Sequence, residues 1–196
     1  MRLCSLASRA RSRHAAPDCR PVSCRDRRLC RPVSAGWYVD ALLGRDEEMA
    51  TDRSYVETNR AALERLRALV ARLSDEDLGR SIGHGWTVSA ALMHLAFWDR
   101  RAVADMERWE REGVKIVPWD PNPINDGMLS EWLAMPGREA AAEALAAAEA
   151  GDQKAASLAP EIVEQVLAQR PRSLVRAAHR GDHLDEIERA LSHPAP

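Results

Sequence analysis

Apolar residues recurring at intervals of three and four are what most limits the folds open to this chain. From Tyr55 to Leu73 they fall at positions 55, 56, 62, 63, 66, 69, 70 and 73, broken only by Asn59. That is the spacing of one face of an α-helix. A second run carries Val88, Leu92, Leu95, Ala102, Val103, Met106 and Trp109 and closes at Gly113, which predicts a helix over 88–112. Nothing in the chain alternates with the two-residue period of a half-buried strand.

The punctuation between these runs supplies the remaining elements. Ser74-Asp75-Glu76-Asp77 stops the first helix and caps a new turn. Ile82-Gly83-His84-Gly85-Trp86 reads as a loop entering the second helix, with Thr87 or Ser89 as its cap. Residues 114–123 hold Pro118, Pro121 and Pro123 and form a loop. A helix begins near Ile124, passes Trp132 and is interrupted at Pro136-Gly137; the Ala/Glu-rich run 138–150 resumes helix. Residues 157–169 add a short helix before Pro171, and a last helix spans 172–191. Four main helices with one long connection predict an all-α fold, an antiparallel four-helix bundle.

Charge separates the first residues from the rest. Residues 1–34 carry nine arginines against two aspartates, although the whole chain is near neutral at −2. All four cysteines, Cys4, Cys19, Cys24 and Cys30, lie there, at a spacing that fits no common zinc pattern. The segment reads as a transit peptide, a disordered leader, or sequence upstream of a true start at Met49. Residues 1–48 are therefore set apart from one folded domain over 49–196. That domain is mildly acidic, which gives no footprint for nucleic acid. It contains no cysteine nucleophile, and no stretch approaches 18 apolar residues, so neither cysteine chemistry nor a membrane span is expected. A cytoplasmic protein is the expectation.

The chemistry-bearing residues are histidines. His179 and His183 stand four apart on the last helix and therefore on one face, together with Ile187, Ala190 and Leu191. His94 sits on the flank of the apolar stripe of the second helix. Two imidazoles one turn apart can bind one metal ion, and a third from a facing helix completes a tripod. The alternative is three core histidines, each satisfied by hydrogen bonds. His84, in the glycine loop, is a candidate for the mouth of such a site, and His193 reads as a surface residue. Gly181, between the paired histidines, costs about 1 kcal/mol relative to Ala in a helix. Asp99, Asp182 and Glu186 neighbour the histidines as candidate partners, and otherwise read as solvated charges. Trp86 and Trp98 are candidates for a pocket wall, or for ordinary core.

Two stretches resemble a known family. Gly85-Trp86-Thr87-Val88-Ser89-Ala90-Ala91-Leu92-Met93-His94-Leu95-Ala96-Phe97-Trp98-Asp99 resembles the second-helix signature of the DinB-like superfamily. His179-Arg180-Gly181-Asp182-His183-Leu184-Asp185-Glu186-Ile187 resembles its last-helix H-x-x-x-H-L-x-x-I. The superfamily includes the N-terminal domains of thiol-dependent maleylpyruvate isomerases. The resemblance covers about residues 50–192, and the segment bearing Asn125 looks similar as well. It implies a four-helix bundle, often a homodimer, with a three-histidine site for a divalent metal such as zinc or nickel. His94, His179 and His183 occupy the three ligand positions. The isomerases carry a further C-terminal domain, and their thiol-binding residues have no placed counterpart here.

Three neutral imidazoles leave coordination positions open, the pattern of a catalytic site. Nitrogen ligands suit zinc, nickel, iron or copper. The expectation is a metal-dependent enzyme acting on a small-molecule substrate. The resemblance favours a thiol-dependent S-transferase or isomerase that uses a low-molecular-weight thiol; a metal-assisted hydrolase is the other enzymatic option. The rival is a non-catalytic metal-binding or stress-associated bundle acting as a dimer or partner-binding module. No catalytic residue beyond the ligands is named by the sequence.

Overall fold

The computed structural model describes residues 51–192. The expectations placed on residues 1–48, with their four cysteines, and on His193 lie outside the described residues.

The helices are α1 (Ser54–Arg72), α2 (Asp75–Gly79), α3 (Val88–Glu112), α4 (Asn122–Ala134), α5 (Gly137–Ser157), α6 (Pro160–Gln169) and α7 (Arg176–Ser192). The fold is all-α. Among the described residues no helix is long and apolar enough to cross a membrane.

Local chemistry sets the ends of these helices. Ser74 and Asp77 form a reciprocal capping box that starts α2. The Thr87 hydroxyl accepts from the Ala90 N–H at the start of α3, and Gly113 ends it at φ 80°. The Ala/Glu-rich run continues as helix to Ser157, beyond the expected 150. The last helix starts later than expected, because Pro171–Ser173 forms a 3-10 turn and α-helix resumes only at Arg176.

One element departs from the purely helical expectation. Strands β1 (Ser81–Gly83) and β2 (Trp86–Thr87) form a small antiparallel hairpin. His84 and Gly85 link them at φ 52° and 80°. Positive φ at both central residues is what a type I′ hairpin turn requires. Strands of three and two residues are too short to show any alternation.

Side-chain pairs give the direction of each long helix. Tyr55 with Ala155, and Arg67 with Glu149, set α1 antiparallel to α5. His94 with His183, and Asp99 with Arg176, set α3 antiparallel to α7. Arg65 bonds to Asp185 and Glu188 while Asn59 reaches Leu174, so α1 runs with α7. Arg100 pairs with Glu143 and Lys154 with Glu110, so α3 runs with α5. The bundle is therefore up-down-down-up, with both antiparallel relations made between these pairs. The long connection through the proline loop and α4 returns the chain between the two parallel neighbours.

Of the three apolar clusters in the core, the two largest are separated by a polar layer; the third is Ala90, Met93, Trp132 and Ala140. One of the two largest joins Leu63, Leu66, Leu92, Ala148 and Leu184. The other joins Tyr55, Met106, Ala155, Leu158 and Leu174. Between them, on all four long helices, stand Asn59, Asp99, Asp152, Arg176 and Arg180. Asn59, the one polar residue in the α1 stripe, donates to Leu174 O (2.8 Å) and accepts from Ala177 N–H (2.9 Å). It thus satisfies a donor at the open end of α7. On α5 the buried face is Ala140, Ala141, Ala144, Ala147, Ala148, Gly151 and Ala155. Such small side chains let α3 lie close against it.

Candidate metal centre

From Val88 to Asp99 every residue of α3 except Phe97 is buried. His94 therefore sits inside the bundle, with only 4% of its surface exposed. The flank on which the sequence places it is covered by α4 and the hairpin. Trp86 and Trp132 meet its ring edge-on at 5.2 Å, and Trp98 lies 6.1 Å away.

α7 brings the other two imidazoles to the same point. The ring centres of His179 and His183 lie 5.1 and 4.5 Å from that of His94. One ring nitrogen from each of the three falls within 4.8 Å of the others. The His94 and His179 Nε2 atoms are 3.0 Å apart. Tetrahedral coordination at ~2.1 Å per nitrogen would set the ligand atoms roughly 3.4 Å apart. The observed spacing brackets that value, and the cluster could hold one metal ion.

Protonation suits ligation. Burial pushes the His94 pKa down to about 3, helped by His183 and Arg176. Burial, then the Arg176 charge and the neighbouring histidines, takes His179 down to about 2. Both rings are neutral at pH 7, the form that binds a metal. His183 Nδ1 lies 2.9 Å from Glu186 Oε2, leaving its Nε2 for a cation. A carboxylate on the far nitrogen fixes a ligand's tautomer and orientation.

His179 is held differently. Its Nδ1 lies 3.3 Å from Arg176 Nη2, and a guanidinium can only donate. Nδ1 therefore accepts, and the ring proton sits on Nε2, facing His94 Nε2. The remaining His94 proton is then on Nδ1, a buried atom with no hydrogen-bond partner. A cation bound at His179 Nε2 would move that ring's proton to Nδ1, where it meets the Arg176 N–H, so metal binding requires the 3.3 Å contact to open. The donor set fits a metal.

Beneath the histidines lies the polar layer. Asp99 is fully buried and accepts from Arg176 Nε (2.6 Å) and Arg180 Nε (3.1 Å). Arg180, also fully buried, gives its other N–H groups to Asp152, Ala148 O and Asn59 O. All five of its donors are satisfied. The reading of Asp99 as a solvated charge is thus corrected: two arginines of α7 require it inside. Asp182 does stay on the surface, paired with Arg172 at 3.0 Å.

The histidines open into a cavity of about 1110 Å³, which Trp86, Trp98 and His84 also line. Trp98 Nε1 donates to Asn125 Oδ1 (3.1 Å), tying the start of α4 to its wall. The sequence reading missed Arg176, Trp132, Trp119, Arg101 and Arg170. Arg176 carries a usable signal, since it precedes His179 by three and lies on the same helical face.

No curated protein and no solved structure gives a significant match to the chain. The family model of the DinB superfamily matches residues 58–193, which include all three histidines and most of the bundle. By its helical fold and by that match over well more than half its length, the chain belongs to the DinB superfamily.

Proposed function

We propose that this protein is a metal-dependent enzyme with a mononuclear centre held by His94, His179 and His183, and that it uses a low-molecular-weight thiol as an S-transferase or isomerase. The observation that carries the reading is three converging imidazoles at the wall of a cavity large enough for a substrate and a co-substrate. A divalent cation there, zinc or nickel with iron as a third choice, supplies a Lewis acid that favours the ionised form of a bound thiol or water.

The chain's own residues prepare the site. Glu186 orients His183, and Trp86, Trp98 and Trp132 fix the His94 ring against rotation. Asp99 anchors Arg176 beside His179, whose Nδ1 contact with it gives way when Nε2 takes a metal. Membership of the superfamily supports the thiol co-substrate.

Nickel loading of the full chain followed by thiol titration tests this. The expected result is one bound nickel and a thiolate-to-metal charge-transfer band that is lost in His183→Ala. Bound nickel without such a band would remove the thiol role. No bound metal would remove the metalloenzyme itself.

A further inference from the structure

At the end of the cavity away from the histidines, two arginines share one indole. Trp119, from the proline loop, stacks on Trp98 at 4.8 Å with a 9° tilt. The guanidinium carbons of Arg101 and Arg170 lie 4.7 and 4.4 Å from the centre of the Trp119 ring. Both arginines and both tryptophans line the same cavity as His94, His179 and His183.

Among the described residues one carboxylate, Asp105, stands near both cations, so the pair keeps a net positive charge. Arg101 Nε is buried without a hydrogen-bond partner. Asp105 Oδ2 stands 3.9 Å from it, a long ion pair, while Asp105 Oδ1 is shared with Arg108 at 3.0 Å. The Arg170 guanidinium makes no hydrogen bond or ion pair among the described residues; burial disfavours its cation, the Asp105 charge offsets part of that, and the Arg101 charge adds to it. Contact with an indole face offsets part of that repulsion but leaves the N–H edges of both forks unused. Paired guanidinium forks with free edges match the two oxygens of a carboxylate or phosphate.

We infer that Arg101 and Arg170 form an oxyanion-binding subsite for a carboxylate or phosphate group of the substrate, with Trp98 and Trp119 as the wall against its carbon skeleton. Arg101 follows His94 by seven residues on α3, so the two lie ~10 Å apart along the helix axis. One small acidic molecule can span that distance, its anionic group on the arginines and its reacting atom at the histidines. The subsite itself stands on the arginines alone. What happens at the other end of the molecule rests on the metal-centre reading above.

The test uses tryptophan fluorescence of the full chain, titrated with malonate or inorganic phosphate at constant ionic strength, with chloride as the control. A saturable change with either anion is expected, and the tighter of the two identifies a carboxylate or a phosphate as the natural group. Arg101→Gln and Arg170→Gln should each weaken binding at least tenfold with metal content unchanged. Arg170→Lys, which keeps the charge without the fork, should lose less. His183→Ala should lose metal yet keep its anion affinity, which separates failure of the metal reading from failure of this one. No saturable response beyond chloride, or equal affinity in the parent and both glutamine variants, would overturn the assignment.

Discussion

Removing the charge of Asp99 should damage this protein more than any other single-atom change to its surface or core. Asp99 and Asp152 balance Arg176 and Arg180 in the polar layer, and Asp99 and Arg180 are both without exposure. In Asp99→Asn the side chain keeps its shape but accepts from only one of the two Nε groups. Its new NH2 faces the other, donor against donor. The layer then carries an uncompensated positive charge away from water. Breaking a buried pair by removing one partner costs about 3–5 kcal/mol. For a chain of this length that corresponds to a fall in Tm of roughly 6–20 °C. Far-UV circular dichroism followed through urea and thermal unfolding measures it. Arg65→Ala is the control: its partners Asp185 and Glu188 are exposed and partly exposed, and its loss should cost under ~1 kcal/mol. A loss below ~1 kcal/mol for Asp99→Asn would refute the claim that the layer is a balanced, water-excluded network.

Three further outcomes follow from the same geometry. His94 and His179 are neutral in the folded protein down to about pH 3 and 2, against 6.5 unfolded. The unfolded state therefore takes up protons first as pH falls. Stability of the metal-free protein should be complete above ~pH 6.5 and should drop below it by ~1.4 kcal/mol per pH unit for each histidine. Urea midpoints measured from pH 7 to 4.5 check this, and a flat profile would contradict it. Gly181→Ala should stabilise α7 by about 1 kcal/mol, because an added Cβ meets nothing within 4 Å; a destabilised variant would mean that the glycine serves an unseen contact. Glu186→Gln should weaken metal affinity ~10–100-fold with the fold intact. Competition with a chromogenic chelator measures it, and unchanged affinity would show that Glu186 does not orient His183.

Much of this architecture is written in the apolar spacing. The limits of α3 follow from Thr87 and Gly113, and the start of α2 from the Ser74–Asp77 box, because caps act within a few residues. The meeting of His94 with His179 and His183 was legible from the pair's shared helical face and one further imidazole on a neighbouring core helix. The polar layer was not. A charged residue on a helix normally faces water, and only packing reveals that the face of α3 bearing Asp99 is covered. Two local signs existed: Val88 to Trp98 carries no charged residue before Asp99, and Asn59 interrupts an otherwise apolar stripe. Trp119 and Arg170 belong to a loop and a helix end, where no period links them to Trp98 and Arg101. The hairpin was invisible for want of length, and Gly181 still has no structural account.

Metal stoichiometry tests the central claim most directly. The untagged full chain, reconstituted with zinc or nickel and desalted, would be assayed by mass spectrometry beside His94→Ala and His183→Ala, with circular dichroism to verify that each is folded. The account predicts one equivalent of metal in the parent beyond whatever the folded variants retain. Equal metal content in parent and variants, or none in any of them, would contradict it and leave the three histidines as hydrogen-bonded members of the core.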